Sequence, residues 1–439
     1  MNRSKKLIIL LLIFLSLFGA QSYAQKIASL EVTLNKENTG IDVPVHINLD
    51  GITQLPDSTL SLFEIKGNNR VAVPYQIENK GQRVLYWIVK QTPGTAKYHV
   101  FELTRAAPLK TNNHITLVKD SGYLTIMANN KNLLRYVYKT VYPPKGIDTA
   151  YKRSGFIHPL WSPYGDRLTR IQAPDHYHHY GLWDPWTHTA FDGDTIDFWN
   201  LNGKHGTVKF ADFTSITDGP VYGDFQVLQQ HIAFLKHGPD KGTDKLALNE
   251  LQSVRIYQPE ANQDYYIADI TIQLNCADLP IKLLAYRYGG LGWRATEKWD
   301  GKNSEMLTSE GKTRDSTDNT NARWVIVQGQ IDNDYAGAVM MSNPTNYSYP
   351  EPLRVWNSKM NGRGDVYANF SPTKDKDWSL TPGHDYVLKY RFVVFNNKYT
   401  KEKAEAAWQY FAHPPVVTVV MADAAAPSVK KAPAKKIKL

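Results

Sequence analysis

Short runs in which apolar and polar residues alternate are spread along almost the whole chain. Before residue 104 these runs are SLEVTL, DVPVHINL, LSLFEI, VAVPYQI, RVLYWIV and YHVFEL, and turn-forming residues separate them. Alternation with a period of two residues is typical of half-buried β-strands. The spacing of these strands predicts a small antiparallel, immunoglobulin-like β-sandwich over residues 25–108.

The alternation resumes near residue 115 and continues almost to the C-terminus. Three of the later runs are long: FQVLQQHIAFLK, LNELQSVRIYQP and YYIADITIQL. Long consecutive antiparallel strands without intervening helices predict a large two-sheet β-sandwich over residues 109–415. One clear helical pattern occurs late, where Thr400 is a suitable N-cap for the run KEKAEAAWQYFA. The predicted fold class is therefore all-β with one C-terminal helix.

The first 24 residues have the pattern of a secretory signal peptide. Three basic residues precede an apolar run, and Ser22 and Ala24 supply the small residues of a cleavage site. We therefore expect residues 1–24 to be removed, Gln25 to become the N-terminus, and the protein to be secreted or periplasmic. No later run reaches the roughly 20 apolar residues that cross a bilayer, so no membrane span is expected after cleavage.

The formal net charge of +9 is concentrated at the two ends of the chain. The leader contributes +3, the last 19 residues contribute +4, and only +2 remains for the body. A basic groove for nucleic acid is therefore not indicated. The segment 416–439 is rich in alanine, proline and lysine, a composition that predicts a disordered tail.

The stretch from Asp175 to Trp199 combines groups that are costly to bury. It holds four histidines, five aspartates and three tryptophans within 25 residues, and buried polar groups need hydrogen-bond partners. Glycines and a proline break it into strands and loops, where ligand-binding residues are often placed. We expect a polar ligand site here, in which Trp183, His188 and Trp199 bind the substrate.

The histidines of this stretch are the candidate reactive groups. His176, His178 and His179 could act in acid–base catalysis, because imidazole titrates near neutral pH. On a strand, His176 and His178 would share one face and His179 would point to the other. The pair on one face could hold a divalent metal, with His188 or an aspartate as a third ligand. Structural hydrogen bonding is the alternative role, and no other cofactor is indicated.

A second group of charged and aromatic residues occurs in the runs YRYGGLGWR and TSEGK. Arg287 and Arg294 could hold hydroxyl or carboxylate groups of a ligand, and Glu310 could be a second catalytic acid or base. The same residues could equally form ion pairs over tryptophans. A later loop that ends at Trp356 could form a wall of the same cleft. We expect Glu310 and the arginines to converge with the histidines.

Several of these segments resemble a known family. The segments are HPLWSPYGDRLTRIQAPDHYHHYGLW, DFWN, YGGLGWRATEKWDG, TSEGK, ARWV and MMSNPTNYSYP, in this order. They are similar to the PmoA-like family of secreted bacterial proteins, which carry the label "methane oxygenase PmoA" although their function is unknown. The resemblance covers roughly residues 115 to 400. It implies a large β-sandwich similar to the galactose-mutarotase-like supersandwich of carbohydrate-active enzymes.

Three functions remain open from the sequence. The leading hypothesis is a secreted carbohydrate-active enzyme, of the glycoside hydrolase, lyase or epimerase type, that acts through a histidine-rich cleft. The alternative is a non-catalytic carbohydrate-binding protein that uses the same residues. The third is a copper-dependent oxygenase, as the family label suggests. A membrane methane monooxygenase subunit is excluded, because it would need several apolar spans that the sequence lacks after residue 24.

Overall fold

The computed structural model describes residues 25–35, 39–91, 97–109, 111 and 114–422. The predicted leader, residues 1–24, and most of the predicted tail, residues 423–439, lie outside the described residues. Strands account for 52% of the structure and helices for 7%. This balance confirms the predicted all-β class.

The strands are numbered in chain order. The first seven are β1 (Gln25–Thr33), β2 (Val43–Asn48), β3 (Leu60–Lys66), β4 (Asn69–Ala72), β5 (Tyr75–Asn79), β6 (Arg83–Val89) and β7 (Tyr98–Arg105). The next nine are β8 (Thr116–Asp120), β9 (Tyr123–Ala128), β10 (Lys131–Val137), β11 (Phe156–Leu160), β12 (Ile171–Ala173), β13 (His176–Tyr180), β14 (Leu182–Trp183), β15 (Thr189–Phe191) and β16 (Asp194–Ile196).

The later strands include the longest ones. They are β17 (Gly206–Thr217), β18 (Tyr222–Phe234), β19 (Asp244–Tyr257), β20 (Tyr265–Cys276), β21 (Ile281–Leu283), β22 (Gly292–Arg294), β23 (Ser304–Thr308), β24 (Trp324–Ile331), β25 (Asp334–Ser342), β26 (Leu353–Val355), β27 (Tyr367–Phe370), β28 (Trp378–Leu380), β29 (Tyr386–Asn396) and β30 (Val417–Met421). The helices are α1 (Arg314–Thr317), α2 (Lys401–Ala412) and four short 3₁₀ helices, Asp57–Thr59, Thr149–Tyr151, Leu201–Gly203 and Met360–Gly362.

Two sheets form the N-terminal sandwich. One has the order β30-β1-β7-β3-β4 and the other has the order β2-β6-β5. Leu30, Leu62, Trp87 and Phe101 lie between them in one apolar cluster. Because strand alternation places every second side chain on the inner face, the short runs identified in the sequence are sufficient to build this core. The predicted small sandwich is confirmed.

Strand β30 corrects the prediction that the chain is disordered from residue 416. It pairs antiparallel with β1, with Leu30 opposite Val419, and so returns the chain to the N-terminal sandwich. The run VVTVVM is rich in β-branched residues, which favour strands. The alanine, proline and lysine composition that predicted disorder begins only after Met421.

Two eight-stranded sheets form the large sandwich. Their orders are β17-β18-β19-β20-β29-β25-β24-β23 and β26-β27-β22-β14-β11-β10-β9-β8. Aromatic rings meet between them: Tyr136 lies 5.1 Å from Phe225, and Trp293 lies 6.4 Å from Phe392, between ring centroids. The three long runs of the sequence became β18, β19 and β20, in which buried and half-buried residues alternate. The predicted large antiparallel sandwich is confirmed.

The C-terminal helix α2 is also confirmed. The Thr400 hydroxyl accepts a hydrogen bond from the Lys403 backbone N–H, as its predicted capping role requires. The helix buries Ala404, Ala407 and Trp408 in an apolar cluster with residues of β24, β25 and β29. It therefore stabilises the outer face of one large sheet.

Gly181 fixes the histidine-bearing strand β13 to the centre of the second large sheet. Its φ is +67°, and a Cβ atom there would lie 2.4 Å from the Ile157 carbonyl oxygen, so only glycine suits this position. The Gly181 N–H donates to the Arg170 carbonyl, and its own carbonyl accepts from the Arg294 N–H at 2.8 Å. The histidines and Arg294 are therefore held side by side by backbone hydrogen bonds.

Candidate functional site

Strand β13 brings three histidine rings together. Ring centroids are 4.7 Å apart for His176 and His179, 4.8 Å for His178 and His179, and 5.3 Å for His176 and His178. One potential ligand nitrogen from each ring lies within 4.8 Å of the other two. These three residues are called the histidine cluster below.

The prediction that His179 points away from the other two histidines is wrong. Strands β12 and β13 form a two-stranded ribbon whose register shifts between Ile171 and Ala173, and Gln172 between them has a φ of +48°. Two-stranded ribbons twist strongly, and a bulge increases the twist. Ideal alternation therefore does not hold, and the rings of the neighbours His178 and His179 meet at an angle of 86°.

An aromatic wall encloses His179, which is 1% exposed. The rings around it belong to Trp183 at 5.1 Å, Trp199 at 6.1 Å, Trp356 at 5.4 Å and Tyr367 at 5.3 Å. Trp183 and Trp199 were predicted to bind substrate, but they are 1% and 3% exposed. Both tryptophans pack against His179, and their rings are too buried to contact a ligand. Trp356 lies against the cluster, as predicted.

An acidic residue that precedes the cluster orients His176. The Asp175 carboxylate lies 2.8 Å from His176 Nδ1, 2.8 Å from Arg294 Nη2, and 2.8 Å from the side-chain amide nitrogen of Asn361. Burial opposes the ionisation of Asp175, but the hydrogen bond from His176 and the charge of Arg294 outweigh it and hold the pKa well below its usual value. An ionised carboxylate only accepts hydrogen bonds, so His176 Nδ1 donates to Asp175, and His176 Nε2 has no hydrogen-bond partner among the described residues.

Arg294 lies beneath the cluster and is 1% exposed. Its guanidinium bonds Asp175 and, at 3.1 Å, Asp365, and it stacks over the Trp356 ring at 4.6 Å. It was predicted to hold ligand groups directly. Because its charge is already paired below the surface, its role in the structure is to position Asp175.

His178, like His176, is half-buried. Its ring stacks 6.3 Å from Tyr151, and within the described residues it has no hydrogen-bond partner. Burial, together with the charges of His176 and Arg294, lowers the pKa of His178 to about 3. Burial also lowers the pKa of His179 well below its usual value. Both imidazoles are therefore neutral near pH 7 and keep a lone pair for a ligand.

A second part of the predicted site forms an exposed rim. His188 and Arg287 are exposed; the His188 ring lies 3.9 Å from Tyr286, and the Arg287 guanidinium lies 5.7 Å from Tyr286 and 5.5 Å from Tyr288. Tyr288 in turn contacts Trp199 of the aromatic wall at 5.3 Å. His188 and Arg287 are thus linked to the histidine cluster by ring contacts. The third histidine of the cluster, however, is His179 and not His188.

Glu310 does not join the cluster through any contact among the described residues. The TSEGK segment makes a tight turn, in which the Gly311 N–H donates to the Thr308 carbonyl, and the Glu310 side chain is 54% exposed. Its carboxylate lies 3.7 Å from Arg323, which also bonds Glu405 of α2 at 2.8 Å. The turn therefore places Glu310 in an ion-pair group beside the C-terminal helix, and no contact among the described residues supports its predicted convergence with the histidines.

Sequence reasoning missed the residues that hold Asp175 in place. Asp175 itself stands beside His176 in the sequence, so its pairing with an imidazole had a local signal. Asp365 and Asn361 had none, because they lie on a distant segment that only the sheet order brings to Arg294. Pairings of this kind depend on which strands become neighbours.

Sequence reasoning also missed a group of buried polar residues between the two large sheets, called the core cluster below. Its members, each 2% exposed or less, are Arg153, Asp184, Gln229, His231 and Glu250. His231 Nε2 lies 2.7 Å from Glu250, and the Gln229 amide donates to Glu250 at 3.1 Å. Burial raises the pKa of Glu250 to about 8 and lowers that of His231 to about 3. Polar residues at inward positions of β18 and β19 were the signal that could have revealed it.

The longest described helix, α2, has 12 residues, and no described helix is both long and apolar enough to cross a membrane.

Comparisons with known proteins identify the family to which the chain belongs. No curated protein matches the chain in sequence. In structure, the chain is similar to an alpha-mannosidase from Enterococcus faecalis, with a TM-score of 0.44 and 10% identity over 90% of this chain. It spans about half of that protein, since 47% of the mannosidase chain is covered. Residues 123–409 match the model of a family of unknown function, DUF6807, and the chain belongs to that family.

Proposed function

We propose that the protein acts on a sugar or glycoside and that the histidine cluster is its reactive centre. The observation that carries the proposal is the meeting of three imidazoles whose nitrogens are incompletely paired. His178 has no hydrogen-bond partner in the described part of the chain, and His179 Nδ1 is buried without one. An unpaired buried polar group costs about 1–3 kcal/mol, a cost that packing alone does not explain and that a ligand would offset.

The exposed rim supports a ligand with hydroxyl groups and a ring. Tyr286 and Tyr288 are half-buried and Arg287 is exposed, so aromatic and donor groups occur together beside the aromatic wall of the cluster. Small-molecule sites typically combine such apolar surface with a few polar groups that fix orientation. In the proposal, the tyrosines contact the ring of the sugar and Arg287 binds its hydroxyl groups.

The imidazoles supply the chemistry in this proposal. Asp175 accepts from His176 Nδ1, which leaves His176 Nε2 to act on the substrate, and the half-buried His178 lies beside it. An imidazole oriented by a carboxylate is a common arrangement for a catalytic base. We therefore favour an enzyme of the hydrolase, lyase or epimerase type over a protein that only binds carbohydrate.

We also propose that this activity takes place in the periplasm or outside the cell. The support is the leader-like pattern of residues 1–24. Intact-mass measurement of protein from the producing cells tests this, with Gln25 expected as the N-terminal residue. A retained leader would contradict it.

A panel of free sugars, disaccharides and plant glycosides tests the function. We expect one class to raise the melting temperature of the wild type, and chromatography to detect a product from that class. His178→Ala should lose both effects. His384→Ala, which changes an exposed histidine outside the cluster, is the matched control and should retain both. A thermal shift without product would identify a carbohydrate-binding protein instead, and no shift with any compound would refute the proposal.

A further inference from the structure

We propose that His176, His178 and His179 bind one divalent transition-metal ion of the zinc or copper class, at a centre that leaves a coordination position open. This inference does not depend on the proposed substrate, because metal binding is measured with the metal alone. Three observations carry it: the distances within the cluster, the hydrogen bonding behind His176, and the unpaired nitrogen of His179.

The distances within the cluster suit a metal after a small closure. One nitrogen from each ring lies within 4.8 Å of the others. Zinc–nitrogen bonds of about 2.0–2.1 Å in a tetrahedral site place the nitrogens about 3.3 Å apart, so the widest separation must shrink by about 1.5 Å. His178 is half-buried and has no hydrogen-bond partner among the described residues, so its ring can rotate about the side-chain bonds. His179 is held by the aromatic wall and provides the fixed ligand.

The hydrogen bonding behind His176 is that of a metal ligand. Histidines that bind metals commonly donate their other ring N–H to a carboxylate, which fixes the tautomer and the ring orientation. Asp175 accepts from His176 Nδ1 at 2.8 Å and is itself fixed by Arg294 and Asn361. The buried Arg294 and the Asn361 amide thus orient the Asp175 carboxylate. Within the cluster, this carboxylate bonds only His176 among the described residues.

The unpaired nitrogen of His179 is a separate observation. His179 is 1% exposed, yet its Nδ1 has no hydrogen-bond partner among the described residues. Buried polar atoms in native proteins are usually paired. Coordination of one ring nitrogen would account for the burial of a histidine among tryptophans without a protein hydrogen bond.

The donor set selects the class of metal. Three imidazoles suit zinc, copper, nickel or iron, whereas calcium and magnesium prefer oxygen ligands. No cysteine takes part, since the only cysteine of the sequence, Cys276, is buried in the core between the large sheets. Three protein ligands with a fourth position for water or substrate are the usual pattern of catalytic zinc sites. Zinc and copper are therefore the two ions to test.

The experiment uses the untagged full-length chain, stripped with a chelator and titrated with Zn²⁺ or Cu²⁺ alone. We expect one equivalent of metal by calorimetry and elemental analysis, and tighter binding of Cu²⁺ than of Zn²⁺. His178→Ala should weaken binding by at least about 100-fold, and Asp175→Asn by about 10- to 100-fold. His384→Ala should bind as the wild type does. Bound Co²⁺ should give the intense visible absorption of a four- or five-coordinate ion, a signature that a purely structural histidine would not produce.

Circular dichroism shows whether each variant is folded, and His176→Gln provides a second test if His178→Ala is not. Less than half an equivalent of bound metal, or unchanged affinity in folded His178→Ala and His176→Gln, would overturn the inference. A metal-loaded protein without any response to sugars would refute the proposed function but leave the metal centre intact. Sugar turnover by the stripped protein, without metal binding, would support the proposed function and refute the metal centre.

Discussion

The histidine cluster and the core cluster are built from the same chemical groups but are used differently by the fold. The core cluster combines imidazole, carboxylate and guanidinium, and so does the histidine cluster together with its neighbours Asp175 and Arg294. In the core cluster, His231 and Gln229 both bond to Glu250, and every member is 2% exposed or less. In the histidine cluster, the His176 side chain is 29% exposed and His178 has no hydrogen-bond partner among the described residues. The two clusters therefore differ in exposure and in the partner of the imidazole. The core cluster is fully buried around Glu250, although Asp184 and His231 Nδ1 have no hydrogen-bond partner among the described residues. The histidine cluster is partly open to solvent, and in the proposal its unpaired nitrogens bind a ligand.

The positions of the two clusters explain this difference. Gln229, His231 and Glu250 lie on β18 and β19, inside an eight-stranded sheet that is covered by a second sheet. The histidines lie on β13, in a two-stranded ribbon outside both large sheets. A sheet that is covered by another sheet buries its inward side chains, whereas short segments at the surface can present side chains to ligands. The comparison leads to four predictions about stability, from the largest effect to the smallest.

Glu250→Ala should destabilise the protein most. It would leave His231 and the Gln229 amide without their shared partner. Each buried group left unpaired costs about 1–3 kcal/mol, so the two together should cost about 3–5 kcal/mol. Denaturant unfolding should show a loss of this size, while one equivalent of metal should still bind to the folded fraction. A loss below about 1 kcal/mol would contradict the assignment of the core cluster to stability.

Glu250→Gln should change the pH dependence of stability. Burial raises the pKa of Glu250 from 4.5 to about 8, so the folded protein keeps a proton that the unfolded chain loses above about pH 5. The unfolded state then binds fewer protons, and the free energy of unfolding falls as the pH rises towards 8. Between pH 5 and pH 8 we expect this fall to be roughly 3 kcal/mol larger in the wild type than in Glu250→Gln. Identical pH profiles would contradict a buried neutral Glu250.

His178→Ala should have only a small effect on the stability of the metal-free protein. Because His178 is half-buried and has no hydrogen-bond partner in the described chain, its removal leaves no group unpaired. The expected loss is about 1 kcal/mol or less, compared with about 2–3 kcal/mol for His231→Ala, which would leave Glu250 Oε2 without its partner. Denaturant unfolding of the two variants side by side measures this difference. Equal losses of unfolding free energy in the two variants would contradict the view that the core cluster stabilises the fold and the histidine cluster does not.

Glu310→Gln should have the smallest effect. Its carboxylate is exposed and pairs with Arg323 at 3.7 Å, and surface ion pairs of this kind contribute little. We expect a change within about 0.5 kcal/mol in stability and unchanged metal affinity. Loss of sugar turnover in this variant would contradict this prediction and show that Glu310 acts on the substrate.

The sequence by itself determined the fold class and the location of the reactive groups. Period-two alternation is a local property, so β18, β19, β20 and the strands of the small sandwich could be predicted from their own residues, as could α2 from its cap at Thr400. The density of histidine, aspartate and tryptophan between residues 175 and 199 likewise marked the site. These features depend on residues that are close in sequence.

The tertiary structure alone decided which side chains meet. Arg294 pairs with Asp175 across 119 residues and with Asp365 across 71. These contacts exist because β22 lies between β14 and β27 in one sheet. The twist of the β12–β13 ribbon brings His179 next to His176 and His178. Trp183 and Trp199, which were predicted to contact the ligand, are buried and pack against His179. A tight turn places Glu310 beside Arg323. Strand order, register and twist are set by packing over the whole domain, so a pattern along the chain does not contain them.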